Sequence, residues 1–152
     1  MAGITSALCT SFKVELLEGD HDFNNGADAF KVALLKANAS ITGTYDATTT
    51  NYSNVTGNSD ELPNGSGYTT GGYALTNVNP TSSGTTAFTD FSANAAWSSA
   101  TFTTRGCIIY NTSDGNSAVA VINFGADYSV SGGTFEIQWP TADSSNAIIR
   151  IA

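Results

Sequence analysis

Apolar residues recur every fourth position at the start of the chain, at Ile4, Leu8, Phe12 and Leu16, and Gly19 follows where a helix would stop. The spacing predicts a short amphipathic helix or arm over residues 4–17, with Lys13, Glu15 and Glu18 off its apolar stripe. A turn-rich bend, Asp20-His21-Asp22-Phe23-Asn24-Asn25-Gly26, leads into Phe30-Lys31-Val32-Ala33-Leu34-Leu35-Lys36-Ala37, which reads as the first strand. From residue 38 to residue 70 the pattern lapses into Thr, Asn, Ser, Gly and Asp, with isolated Tyr45, Tyr52 and Leu62. A long ordered loop is expected there, with at most a short helix near residues 48–54. A connection of about thirty residues is uncommon in a compact domain and is usually functional or covered by a neighbour.

Alternation resumes at residue 71. Strands are expected at 73–78, 85–91, 94–97, 101–110, 119–124, 135–139 and 148–151, with turns at 80–84, 114–116 and 131–133. Many short strands with no helices between them point to an all-β fold, a jelly-roll-like antiparallel β-sandwich with a short N-terminal helix. One domain spans 1–152: an arm over 1–29, then the sandwich over 30–152 with its long loop at 38–70. A chain of this length can bury about 68–70% of its unfolded surface, so stability requires neither disulfide nor metal.

Composition narrows the function. Charged residues make up 12% of the chain, about half the usual share of ~25%. There are 13 acids against 5 bases, a net charge of −8, and Lys13, Lys31, Lys36, Arg105 and Arg150 form no run. Nucleic acid is therefore not an expected partner, because phosphate binding depends on clustered cations. No apolar run approaches the ~18 residues of a membrane span, so no membrane partner is expected either. The opening Met1-Ala2-Gly3-Ile4-Thr5 shows no signal peptide, so Cys9 and Cys107 are expected as reduced thiols of a protein made in a cytosol.

Few residues can do chemistry. His21 is the one histidine and is expected to lie exposed in a turn. Asp20-x-Asp22-x-Asn24 resembles the first half of a calcium loop, but Gly26 falls one position late and Lys31 stands where the bidentate glutamate belongs. Glu136 with Asp90 or Asp127 would be the carboxylates of a glycosidase, and Trp97, Trp139 and the tyrosines could line a sugar groove or simply fill the core. Arg105 and Arg150 sit within apolar strands and are expected to pair with carboxylates. No catalytic residue, metal ligand or cofactor is assigned, and the protein is not expected to be an enzyme.

Four segments carry a resemblance. Ala74-Leu75-Thr76-Asn77-Val78, Thr101-Phe102-Thr103-Thr104-Arg105-Gly106-Cys107-Ile108-Ile109-Tyr110-Asn111, Ala118-Val119-Ala120-Val121-Ile122-Asn123-Phe124-Gly125 and the ending 140–151 are similar to small proteins of tailed bacteriophages. The run Ser11-Phe12-Lys13-Val14-Glu15-Leu16-Leu17-Glu18-Gly19 followed by Phe30-Lys31-Val32-Ala33-Leu34 fits the same pattern, and the likeness thins between 38 and 67. The chain thus resembles the capsid decoration, or cement, proteins. That resemblance implies a homo-oligomer, dimer or trimer, bound to the major capsid protein on the outer surface of the virion and made in the host bacterial cytoplasm. Leu8, Phe12, Leu16, Tyr45 and Tyr52, apolar residues outside the strand scaffold, are the expected interface. The alternative is a tail or fibre module that binds host sugar through Trp97, Trp139 and tyrosines.

Overall fold

The computed structural model describes residues 2–152. In chain order the elements are β1 (Gly3–Ile4), β2 (Ala7–Leu8), α1 (Thr10–Glu18), β3 (Phe30–Lys36), a 3-10 turn at Asn38–Ser40, β4 (Thr44–Tyr45), α2 (Ser53–Gly57), β5 (Tyr73–Ala74), β6 (Thr81–Ser83), β7 (Thr86–Thr89), β8 (Ala95–Asn111), β9 (Ser117–Ile137) and β10 (Ile149–Ile151). The protein is all-β with a short N-terminal helix. Its strands form a five-stranded antiparallel sheet, β2-β9-β8-β3-β5, a three-stranded antiparallel sheet, β10-β7-β6, and a parallel pair, β1-β4. None of these sheets closes on itself.

The N-terminal stripe proves to be two structures. Ile4 lies in β1, where Gly3 and Thr5 donate to the Gly43 and Tyr45 carbonyls at 2.9 and 2.8 Å, and Leu8 lies in β2 against Ala120 of β9. Only Phe12 and Leu16 share the helix, which starts at Thr10. Its end follows the expectation: Gly19 adopts φ +89° and donates to Glu15 and Leu16, while Asp20 N–H also returns to Glu15.

β3 is buried from Val32 through Leu35, as expected for a strand covered on both faces. It pairs with β8 on one side, and Ile108, Ile109, Val119 and Val121 continue the core beside it. The separate strands expected at 94–97 and 101–110 are one strand, β8, and those at 119–124 and 135–139 are one strand, β9. Together they make a hairpin that runs from Asn111↔Ser117 to Ala95↔Ile137. What looked like a turn at 131–133 is an irregularity within β9, where Gly132 takes φ +63° and the register shifts between Ala100 and Thr101. β3 reaches β8 only as far as Thr104, and β2 reaches β9 only at Ala120 and Val121. The distal half of the hairpin therefore extends as a two-stranded ribbon.

The long segment 38–70 is tied down by two adjacent buried carboxylates. Asp60 accepts hydrogen bonds from Thr42 N and Gly43 N and from Tyr45 Oη at 2.6 Å. Burial alone would raise its pKa, but the Tyr45 hydroxyl and these backbone donors hold it below the ordinary aspartate value. Glu61 faces the other way and accepts from Tyr52 Oη at 2.5 Å, Tyr68 Oη at 2.7 Å and Gly71 N at 2.7 Å. The residues around them run beside β3: Lys36 N donates to Asp60 O, Leu62 N donates to Leu34 O, and Leu35 bridges Glu61. Leu34 N, which has no strand partner there, donates to Tyr68 Oη at 3.0 Å.

Candidate functional site

Glu15, His21 and Asp114 bring possible metal-ligand atoms within 4.8 Å of one another. His21 is buried, not exposed as its turn-rich setting suggested, and its ring lies 5.0 Å from that of Phe12. α1 supplies Glu15, whose carboxylate is 2.9 Å from His21 Nε2, and the end of β8 supplies Asn111, whose Nδ2 is 2.9 Å from His21 Nδ1. The orientation of the Asn111 amide is fixed by its other partners. Its oxygen accepts from the Ser113 and Asp114 N–H groups, and its Nδ2 donates to Asp28 Oδ2 at 2.8 Å. An N–H therefore points at His21 Nδ1, which must be unprotonated, so the proton sits on Nε2 and is donated to Glu15. A metal needs a free ring lone pair. One lone pair is occupied and the other position carries the proton, so the cluster does not suit a cation. It cross-links α1, the bend after it and the β8–β9 turn.

The other chemical candidates are likewise held by local partners. Asp22 is an acceptor for Asn24 N and Nδ2, which makes it a turn residue. Asp90 accepts from Phe91 N and Ile148 N, and burial raises its pKa against these two donors. Asp127 accepts from Asn38 N and lies 3.7 Å from Arg105, while Glu136 binds the amides of Asn94 and Gln138. Cys9 and Cys107 are free and buried, and burial pushes the Cys9 thiol up to about 11. Trp97 is buried among Tyr68, Tyr73 and Phe135, and Trp139 Nε1 donates to the Ala93 carbonyl. Arg105 has its carboxylate, whereas Arg150 donates instead to the Ser145 carbonyl.

The five expected interface residues divide. Phe12 and Tyr45 are core residues, each 1% exposed; Tyr45 is held under Asp60, and Phe12 forms the floor of the crevice described next. Tyr52 stacks on Tyr110 with ring centroids 4.3 Å apart and donates to Glu61, so its ring and hydroxyl are both engaged. Leu8 and Leu16 are half-buried and do reach the surface. They line a crevice of about 250 Å³ between α1 and β10, together with Leu17, Ile149, Ile151 and two cations, Lys13 and Arg150. Leu17 is 88% exposed, Ile151 57% and Val14 52%. Those three went unnoticed in the sequence, although a helix beginning at Thr10 places Val14 and Leu17 well away from Phe12, and two apolar residues off the buried stripe are a signal. A second apolar hollow of about 280 Å³ lies on the distal ribbon, lined by Phe124, Tyr128, Phe135 and Ile137. Among the described residues no helix is long and apolar enough to cross a membrane. Compared with protein-family models, curated proteins and solved structures, the chain matches none.

Proposed function

We propose that this protein is a structural virion component, a capsid decoration protein that binds the outside of an icosahedral phage head as a homo-oligomer and bridges subunits of the major capsid protein. The observation that carries the reading is the contrast between the two kinds of side chain. The buried acids Asp60 and Glu61, the tyrosines Tyr45, Tyr52, Tyr68 and Tyr110, and His21 are hydrogen-bonded within the chain, while large residues with apolar surface stand in solvent at Val14, Leu17, Ile151 and Tyr128. Such a surface suits adhesion to protein rather than turnover of a substrate. A protein that binds the assembled shell better than its free subunits stabilises the shell by mass action. An oligomer that touches several subunits gains avidity, so each contact can be weak.

The jelly-roll-like sandwich belongs to the same proposal. β10-β7-β6 would form the second layer against the five-stranded sheet, and the ring contacts Phe30–Phe91 at 6.1 Å and Phe91–Trp139 at 5.5 Å support a shared core. The test is co-sedimentation of the purified protein with expanded capsids of the phage that encodes it. Stoichiometric binding, with hundreds of copies per head on a stained gel, is the expected result, and protein left wholly in the supernatant would refute it.

A further inference from the structure

The crevice between α1 and β10 is specific about what would fill it. Its walls are apolar, Leu8, Leu16 and Leu17 on one side and Ile149 and Ile151 on the other, and Leu16, Ile149 and Ile151 also line an adjoining hollow of about 100 Å³ reaching Phe23 and Phe88. One wall is an open sheet edge. β10 ends the order β10-β7-β6 and pairs only with β7, through Ile149↔Thr89, Arg150↔Phe88 and Ile151↔Ala87. Alternate residues of an antiparallel strand turn their N–H and C=O away from the partner. At least one residue of β10 therefore directs both groups outward, where an extended chain can pair with them.

Charge selects among extended chains. In a protein of net charge −8, the charged residues lining this crevice are Lys13 and Arg150; Asp143, which lies outside the lining but feels the Arg150 charge, is taken up by the Asn146 amide and the Ser145 N–H. Arg150 spends one N–H on the Ser145 carbonyl, and a guanidinium has five to give. By contrast, Lys36 is engaged by the Ser59 carbonyl, and Arg105 by Asn123 and Asp127. A second copy of this chain fits poorly. The only two-fold register that pairs all three residues of β10 with themselves sets Arg150 directly opposite its own image, a like-charge pair that opposes association.

We propose that the crevice is a strand-addition site for a segment of a different protein, extended, apolar at alternate positions and carrying a carboxylate, which pairs along β10 and places its acid between Lys13 and Arg150. This rests on the decoration reading only in assigning the segment to the capsid subunit. The test pans a library of random dodecapeptides on the immobilised full-length protein. Enriched sequences should alternate apolar residues with Asp or Glu, and a synthetic representative should slow amide exchange at Ile149–Ile151. Its affinity should fall about tenfold or more in Lys13→Glu/Arg150→Glu and in Leu17→Asp. These side chains are exposed, so unchanged urea midpoints separate lost binding from lost folding. Absence of enrichment, enrichment of basic or non-alternating sequences, protection away from β10, or affinity indifferent to the substitutions would each overturn the proposal. Capsid binding that survives Lys13→Glu/Arg150→Glu removes the crevice and leaves the decoration reading intact. Peptide binding without capsid binding does the reverse.

Discussion

Removing one oxygen from Tyr68 should cost more stability than most whole side chains on this surface. Tyr68 is 3% exposed, and its hydroxyl does two things: it accepts from Leu34 N at 3.0 Å and donates to Glu61 Oε1 at 2.7 Å. In Tyr68→Phe the ring and its packing remain, but a buried backbone N–H is left without an acceptor, a penalty of about 1–3 kcal/mol, and a hydrogen bond to a carboxylate worth about 1.5–3 kcal/mol disappears. The expected loss is therefore about 3–5 kcal/mol, a large fraction of the roughly 5–15 kcal/mol typical of a domain. For a chain of this size the melting temperature should drop by roughly 6–20 °C. Tyr52→Phe is the internal comparison, since its hydroxyl donates to the same carboxylate while the neighbouring backbone group, Gly71 N–H, keeps Glu61 Oε1 as an acceptor when that hydroxyl is removed, and it should cost about half as much. Urea unfolding followed by fluorescence, with the midpoint falling at constant slope, measures both. A Tyr68→Phe protein within about 1 kcal/mol of wild type, or no less stable than Tyr52→Phe, would show that Glu61 does not organise this segment.

Asp60 gives a pH dependence. Its folded pKa lies below the unfolded value, so its contribution is present above about pH 4 and is lost as the pH falls through the folded pKa; urea midpoints taken down to pH 2.5 should fall more steeply for wild type than for Asp60→Asn. Asp90, raised by burial, has the opposite sign, so its contribution is present below the unfolded value and fades as the pH rises through the folded one. Zinc should leave the melting temperature unchanged, because His21 Nε2 is engaged as a donor to Glu15 and Nδ1 as an acceptor from Asn111; a zinc-dependent rise that vanishes in Glu15→Gln would refute the tautomer. Gly72→Ala should unfold the protein or cost more than about 2 kcal/mol, since Gly72 sits at φ +78° and a Cβ there would run into the Val32 carbonyl; a near-normal midpoint would mean that β3 and the 70–72 bend are not packed as described.

Much of the framework was legible because it obeys local rules. The helix stop at Gly19, the strand Phe30–Lys36 and the turn at 114–116 each follow from residues whose conformational preference and neighbours agree. The start of the helix was misplaced because Ile4 and Leu8 pair with residues far along the chain, Tyr45 and Ala120, in two-residue strands too short to show a period. The buried acids were illegible for a related reason. Asp60 and Glu61 find their donors among Thr42, Tyr45, Tyr52 and Tyr68, within a segment whose composition reads as solvent-facing, and no pattern says that a polar run will satisfy itself. The crevice needed the tertiary structure outright, because α1 and β10 come from opposite ends of the chain.

The back-to-back placement of Asp60 and Glu61 has a bearing on how this protein can change. Surface segments usually absorb added or lost residues. Here successive side chains of an extended stretch point to opposite sides, and each acid meets donors that the other cannot reach. Slipping this stretch by one residue against β3 would present each acid to the wrong side and strand two sets of hydrogen-bond donors at once. Residues 58–62 should therefore keep their spacing to β3 however freely the threonines and asparagines around them are exchanged, and the bend that follows is tied as well, with Ser66 O accepting from Thr101 N at 2.8 Å and Gly67 packed against the backbone of residues 98–100.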